Sequence, residues 1–199
     1  MSLLKASAVV RQKLAIDGMG GDRAPSSIIM GIKRVIQNYP NVEFLIFGDE
    51  TRIRSSLQEH ALNSPSIDIF HTPESIPGDM RPVQALRQSK NSSMRLAIEA
   101  VIKGDADAVI SSGNTGAYMA LSKTIFKTLP GIDRPAIVGL IPTEKGQCVM
   151  LDMGANIECT PQMLLQFALM GRAFAAAHQI TNPRVGLLNI GEESQKGHA

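Results

Sequence analysis

Gly104-Asp-Ala-Asp-Ala-Val-Ile-Ser-Ser-Gly-Asn-Thr-Gly-Ala-Tyr-Met-Ala120, with the run that follows to Lys127, decides how the rest of the chain is read. Asp107 to Ser111 has the apolar centre of a short buried strand, and Ser112 to Gly116 is a tight turn of small residues. From Ala117 onward, Ala120, Leu121, Thr124, Ile125 and Leu129 recur at helical spacing. A strand that turns through Ser, Gly, Asn, Thr and Gly into a helix makes an anion site. The first N–H groups of the helix lack intrahelical partners and carry the positive end of its dipole. Gly113 and Gly116 let an anion approach the backbone, and Ser111, Ser112, Asn114 and Thr115 offer side-chain donors. The stretch therefore predicts a cradle for a phosphate or an acyl oxygen. One such turn alone is more often a plain strand-to-helix connection with glycine supplying unusual dihedrals.

Elements of the same kind flank it. Lys13 to Asp17 reads as a strand running into Gly18-Met19-Gly20-Gly21-Asp22, and Pro25 opens a helix striped by Ile28, Ile29, Ile32, Val35 and Ile36. Val42 to Gly48 is a continuous apolar run, the mark of a strand covered on both faces. Thr51 to His60 is expected to be a helix, Ser66 to Phe70 a strand, and Thr72 to Pro82 a loop. Helices are expected over Val83 to Gln88 and Met94 to Lys103.

Beyond the central turn, strands are expected over Ala136 to Ile141, Gln147 to Asp152 and Val185 to Ile190. Thr160-Pro161 caps a helix reaching about Gln179. The alternation predicts a mostly parallel sheet with helices on both faces, and ligands collect beyond the carboxyl ends of such strands. Glycine-rich turns are expected at that edge after Asp17, Phe47, Ile110, Asp152 and Ile190. Residues 1–12 are expected to be a flexible lead-in, and 13–199 one α/β domain.

Several chemistries are disfavoured. The Gly18–Asp22 turn resembles a dinucleotide fingerprint, but its third glycine position is Arg23. The chain has no Gly-Lys dipeptide for a P-loop and no Gly-x-Ser-x-Gly elbow. The four histidines are scattered rather than paired at metal spacing. Asp17, Asp22, Asp49 and Asp152 close strands, where aspartates commonly bond turn backbones. No metal and no cofactor is expected.

Aromatics are 4% with no Trp, and the net charge of +2 is dispersed, so nucleic acid is not expected. Cys148 and Cys159 do not make a disulfide framework, and a cytoplasmic setting is the default.

The pieces together resemble the phosphate acyltransferase family of bacterial phospholipid synthesis, the PlsX proteins. The matching residues are Ile16-Asp17-Gly18-Met19-Gly20-Gly21-Asp22 with Pro25, Gly48-Asp49, Lys90-Asn91-Ser92-Ser93-Met94 and Ser111-Ser112-Gly113-Asn114-Thr115-Gly116-Ala117. Gly131-Ile132-Asp133-Arg134-Pro135-Ala136, Leu151-Asp152-Met153-Gly154-Ala155-Asn156, and Asn189-Ile190-Gly191-Glu192-Glu193 with Lys196-Gly197 complete the set. Gly18 stands where the family usually has Ala, and His198 where Asn commonly follows Lys-Gly.

The resemblance implies an enzyme that moves a long-chain acyl group from acyl carrier protein to inorganic phosphate. It also implies a three-layer α/β/α fold like that of isopropylmalate dehydrogenases and phosphotransacetylases, a homodimer, and peripheral association with the cytoplasmic membrane. Family members run on well beyond this length, so the chain resembles an amino-terminal portion.

With that resemblance, Ser112, Gly113, Asn114 and Thr115, with Ser111, Gly116, Gly20 and Gly21 beside them, are expected to hold phosphate and the oxyanion. Lys196 is the expected neutralising cation, Asn156 and Asn189 are orienting groups, Asp152 belongs to the phosphate- and substrate-binding set, and Asp17 and Asp22 shape the first turn. The rival expectations are a phosphotransacetylase-like or isopropylmalate dehydrogenase-like enzyme, and a non-catalytic scaffold for carrier protein at the membrane.

Overall fold

The computed structural model describes residues 11–189 and Gly191. The chain divides into two compact units, Met1–Lys127 and Thr128–Ala199.

The first unit is built on β1 (Gln12–Asp17), α1 (Ser26–Asn38), β2 (Val42–Gly48), α2 (Glu50–Glu59) and β3 (Ile67–His71). Next come α3 (Pro82–Gln88), α4 (Ser93–Ile102), β4 (Ala108–Ile110) and α5 (Thr115–Phe126). Its four strands are all parallel, in the order β3-β2-β1-β4. Alternation along the strands sends side chains to both faces. Ile16, Phe44 and Ile46 pack with Ile29 and Ile32 of α1 and Ile53 of α2. On the other face, Ala15, Leu45 and Phe47 meet Ala97 and Ala100 of α4. Both faces are covered, which is why β2 reads as unbroken apolar sequence. A third cluster, Ala85, Met94, Ile98, Ala117 and Leu121, joins α3, α4 and α5. The unit is a three-layer α/β/α structure.

Strand order fixes where the sheet's switch point lies. From β1 the chain winds outward through β2 to β3, then crosses back so that β4 pairs with the opposite edge of β1. The carboxyl end of the β1–β4 pair is therefore the topological switch point, where ligands of open parallel sheets collect.

The second unit contains β5 (Gly139–Thr143), β6 (Gly146–Met150) and α6 (Pro161–Ala177). Here the structure departs from the expected parallel strands. β5 and β6 form an antiparallel pair joined through Glu144-Lys145. A two-residue link allows only a hairpin, because parallel neighbours need a long crossover.

Residues 185–189 carry no strand, and Ile190 lies outside the described residues. Of the five turns expected at one sheet edge, those after Asp17, Phe47 and Ile110 lie there, whereas that after Asp152 follows the hairpin. Thr160 caps α6 as its sequence suggests, its side chain accepting from the N–H of Met163.

Candidate active site

Asp17 closes β1 with its side chain buried, 2% exposed. Its Oδ1 accepts from Ser93 Oγ at 2.6 Å and from the N–H of Met19 at 3.3 Å, and its Oδ2 accepts from Ser111 Oγ at 2.7 Å. A buried carboxylate is tolerated only when donors surround it, and here they come from three segments of chain. Ser111 Oγ in turn accepts from the N–H of Gly113 at 3.1 Å. The end of β1, the start of α4 and the turn after β4 are thus tied through one side chain.

The glycines serve this approach. A Cβ on Gly20 would lie 2.5 Å from Asp17 Oδ2 and 2.8 Å from the backbone nitrogen of Gly113, so no side chain fits there. Gly21 sits at φ +98° against Ser112, whose Oγ donates to the Gly20 carbonyl at 2.9 Å. The Gly20–Gly21 loop therefore packs onto the inner side of Ser111–Gly113. The solvent side of the turn, with Ser112 and Thr115 exposed, stays open. Asp22 is exposed just beyond.

Asn114 begins α5. Its Oδ1 accepts from the N–H of Ala117 at 2.9 Å. Its Nδ2 donates to the carbonyls of Pro77, Gly78 and Met80 at 3.2, 3.0 and 2.8 Å. The amide is wholly engaged, capping the helix and holding the 77–80 loop. The donors left to an incoming anion are the first-turn N–H groups of Thr115 and Gly116, which have no acceptor within the helix, and the hydroxyl of Thr115.

In the second unit, Asp152 and Asn156 are brought together. Asp152 Oδ1 accepts from the N–H of Ile137 at 2.8 Å, and Oδ2 from Asn156 N and Nδ2 at 2.7 and 3.0 Å. Partial burial is the largest influence on this carboxyl and acts to raise its pKa. The hydrogen bonds from Ile137, Asn156 and Ala155 together outweigh it and hold the pKa below the usual value. Asn156 Nδ2 also reaches the Pro135 carbonyl at 3.1 Å. Asn189 is exposed, its Nδ2 donating to the Gly191 carbonyl at 3.3 Å. Lys196 lies outside the described residues.

Ser93 is the member that sequence reasoning did not place in the site. Its signals were membership of the Lys90-Asn91-Ser92-Ser93-Met94 motif and its place ahead of an apolar helix, whose cap is Ser92, accepting from the N–H of Arg95. A groove of about 480 Å³ lined by Glu50, Thr51, Arg54, Ser55, Gln58 and His71 lies elsewhere on this unit. It contains none of the residues at the β1–β4 junction. Among the described residues, no group of three or more His, Cys, Asp or Glu could hold a metal. No described helix is long and apolar enough to cross a membrane.

A family model described as "Fatty acid synthesis protein" matches residues 12–199. The chain belongs to that family. A phosphate acyltransferase from Rhodospirillum centenum is 50% identical over 186 residues, covering 93% of this chain and 52% of the relative. Phosphate acyltransferases from Rhodospirillum rubrum and Listeria innocua are 48% and 47% identical, over 92% and 94% of this chain and 53% and 55% of theirs. The chain spans about half the length of the curated relatives it matches.

Among solved structures, the EutD phosphotransacetylase from Staphylococcus aureus superposes with a TM-score of 0.63 at 19% identity, covering 85% of this chain and 54% of its own. A phosphotransacetylase from Streptococcus pyogenes gives 0.61 at 22% identity, covering 80% and 52%. These two share the fold of this fatty acid synthesis family member.

Proposed function

We propose that this chain belongs to an acyl-[acyl carrier protein]:phosphate acyltransferase, which forms an acyl phosphate and frees the carrier protein. The observation that carries the reading is the Ser112–Gly116 turn. It enters a helix at the switch point of a parallel sheet and is braced from behind by Asp17, so its remaining donors face outward. The names of the relatives, all phosphate acyltransferases, support the substrate pair.

In the proposed reaction a phosphate oxygen attacks the thioester carbonyl carbon, and the C–S bond breaks with departure of the carrier's thiolate. Phosphate is anionic near neutral pH, so no serine or cysteine nucleophile is required. Catalysis then rests on holding phosphate against the carbonyl, stabilising the tetrahedral oxyanion and keeping water out. The hydroxyl of Thr115 and the N–H groups of Thr115 and Gly116 form the cradle, and Asn114 and Asp17 hold its shape.

A long-chain acyl group on carrier protein, a homodimer and peripheral contact with the cytoplasmic membrane complete the proposal. Mass-spectrometric detection of acyl phosphate from acyl carrier protein and phosphate, with this chain and with a full-length form, tests it. Acyl phosphate from the full-length form is expected. Thioester that stays intact while carrier protein binds would favour the scaffold instead.

A further inference from the structure

We infer that Ser93 is a positioning residue for the anion-binding turn, acting through Asp17 and Ser111. This rests on the reading of Ser112–Gly116 as the phosphate cradle. Ser93 is 1% exposed, and its hydroxyl donates to Asp17 Oδ1 at 2.6 Å, the shortest of the bonds in the cluster. Asp17 Oδ2 receives Ser111 Oγ at 2.7 Å, and Ser111 Oγ receives the N–H of Gly113 at 3.1 Å.

Each hydroxyl has one proton, and the carboxylate has none. Ser93 and Ser111 must therefore both point their protons at Asp17. That leaves the lone pairs of Ser111 Oγ as the acceptor for Gly113, which fixes the first half of the turn. Hydrogen bonds to a charged acceptor are the stronger kind, and bonds in a chain polarise one another. Ser93 touches no part of the open face. It acts by pinning the Asp17 rotamer from the α4 side while Ser111 pins it from the β4 side.

Ser92 supplies a matched control. It is as buried as Ser93 (0% exposed) and adjacent to it, but its hydroxyl bonds Ser89 and Arg95, away from Asp17. In the full-length protein, Ser93→Ala and Ser92→Ala are compared by phosphate-dependent turnover and by backbone hydrogen exchange of the 111–116 segment. Ser93→Ala is expected to raise the half-saturating phosphate concentration roughly tenfold, with kcat changed less than about twofold, and to speed exchange at 111–116. Ser92→Ala removes the α4 cap and should lower stability, but it is expected to change both readouts much less than Ser93→Ala. Ser93→Cys, with a weak S–H donor in place of O–H, is expected to fall between, and it carries the comparison if the alanine variant does not fold.

Unchanged exchange at 111–116 in Ser93→Ala overturns the inference, as do equal effects of the two alanine variants. Faster exchange with unchanged phosphate saturation also overturns it, since the turn would then move without consequence for phosphate. A wild-type protein with no phosphate-dependent turnover contradicts the functional reading instead, and the exchange comparison then decides alone whether Ser93 positions the turn.

Discussion

At the scale of single residues, Asn114 shows how one side chain can tie a helix start to a distant loop. The sequence offers Asn114 as a donor to an anion, whereas in the structure its side chain caps α5. The three carbonyls it gathers from 77–80 are distant in sequence and could not be read from local pattern. Asn114→Asp keeps the acceptor for Ala117 and adds a charge that suits the helix start. Its carboxylate, however, would face the carbonyls of Pro77, Gly78 and Met80 with no proton to give. Limited proteolysis should therefore cut the 77–80 loop faster in Asn114→Asp while the helix signal by circular dichroism holds. Asn114→Ala loses both functions and should cost about 1–2 kcal/mol for the cap alone, read by denaturant unfolding. Asp17→Ala leaves the hydroxyls of Ser93 and Ser111 without their acceptor in a buried place. A loss of about 3 kcal/mol or more is expected in the same measurement.

At the scale of elements, α4 reaches the sheet through alanines. Ala97 and Ala100 lie against Ala15, Leu45 and Phe47, while Met94 and Ile98 on its other side meet α3 and α5. The small face sets how closely the helix approaches, and Ser93 at its first position depends on that distance. Ala97→Leu should destabilise the protein by about 1–3 kcal/mol through overpacking. If the helix is pushed outward, exchange at 111–116 should quicken even though residue 97 is remote from the turn.

The parallel strands of the first unit were legible because apolar runs flanked by glycine turns and amphipathic helices leave few alternatives. Their order was not, since nothing in the sequence says which edge of β1 takes β4, and the place of the switch point follows from that choice. The β5–β6 hairpin was misread because Gly139–Thr143 and Gly146–Met150 are apolar enough to pass for buried strands. Only the brevity of Glu144-Lys145 distinguishes them. The Val185–Ile190 run, apolar by composition, has no strand partner over 185–189.

At the scale of the whole molecule, the two units carry different parts of the expected site. Asp17, Gly20, Gly21 and Ser111–Gly116 belong to the first, and Asp152, Asn156 and Asn189 to the second. The second unit has an acid-sensitive element in Asp152, whose pKa is depressed below the usual aspartate value of 3.8. Its contribution to stability is complete above that value and is lost as pH falls through the depressed one. Asp152→Asn should therefore unfold more readily than wild type at neutral pH, with the gap closing as pH falls below about 4. A gap independent of pH would mean that the charge of Asp152 does no stabilising.

Inorganic phosphate is proposed to sit at the turn that leads from β4 into α5. Backbone amide chemical shifts of the 199-residue chain, followed through a phosphate titration, test it most directly. Saturable shifts at Ser112, Thr115 and Gly116, weakened by Ser111→Ala, are the predicted result. Saturable shifts confined to other surfaces, or none at the start of α5, would contradict it.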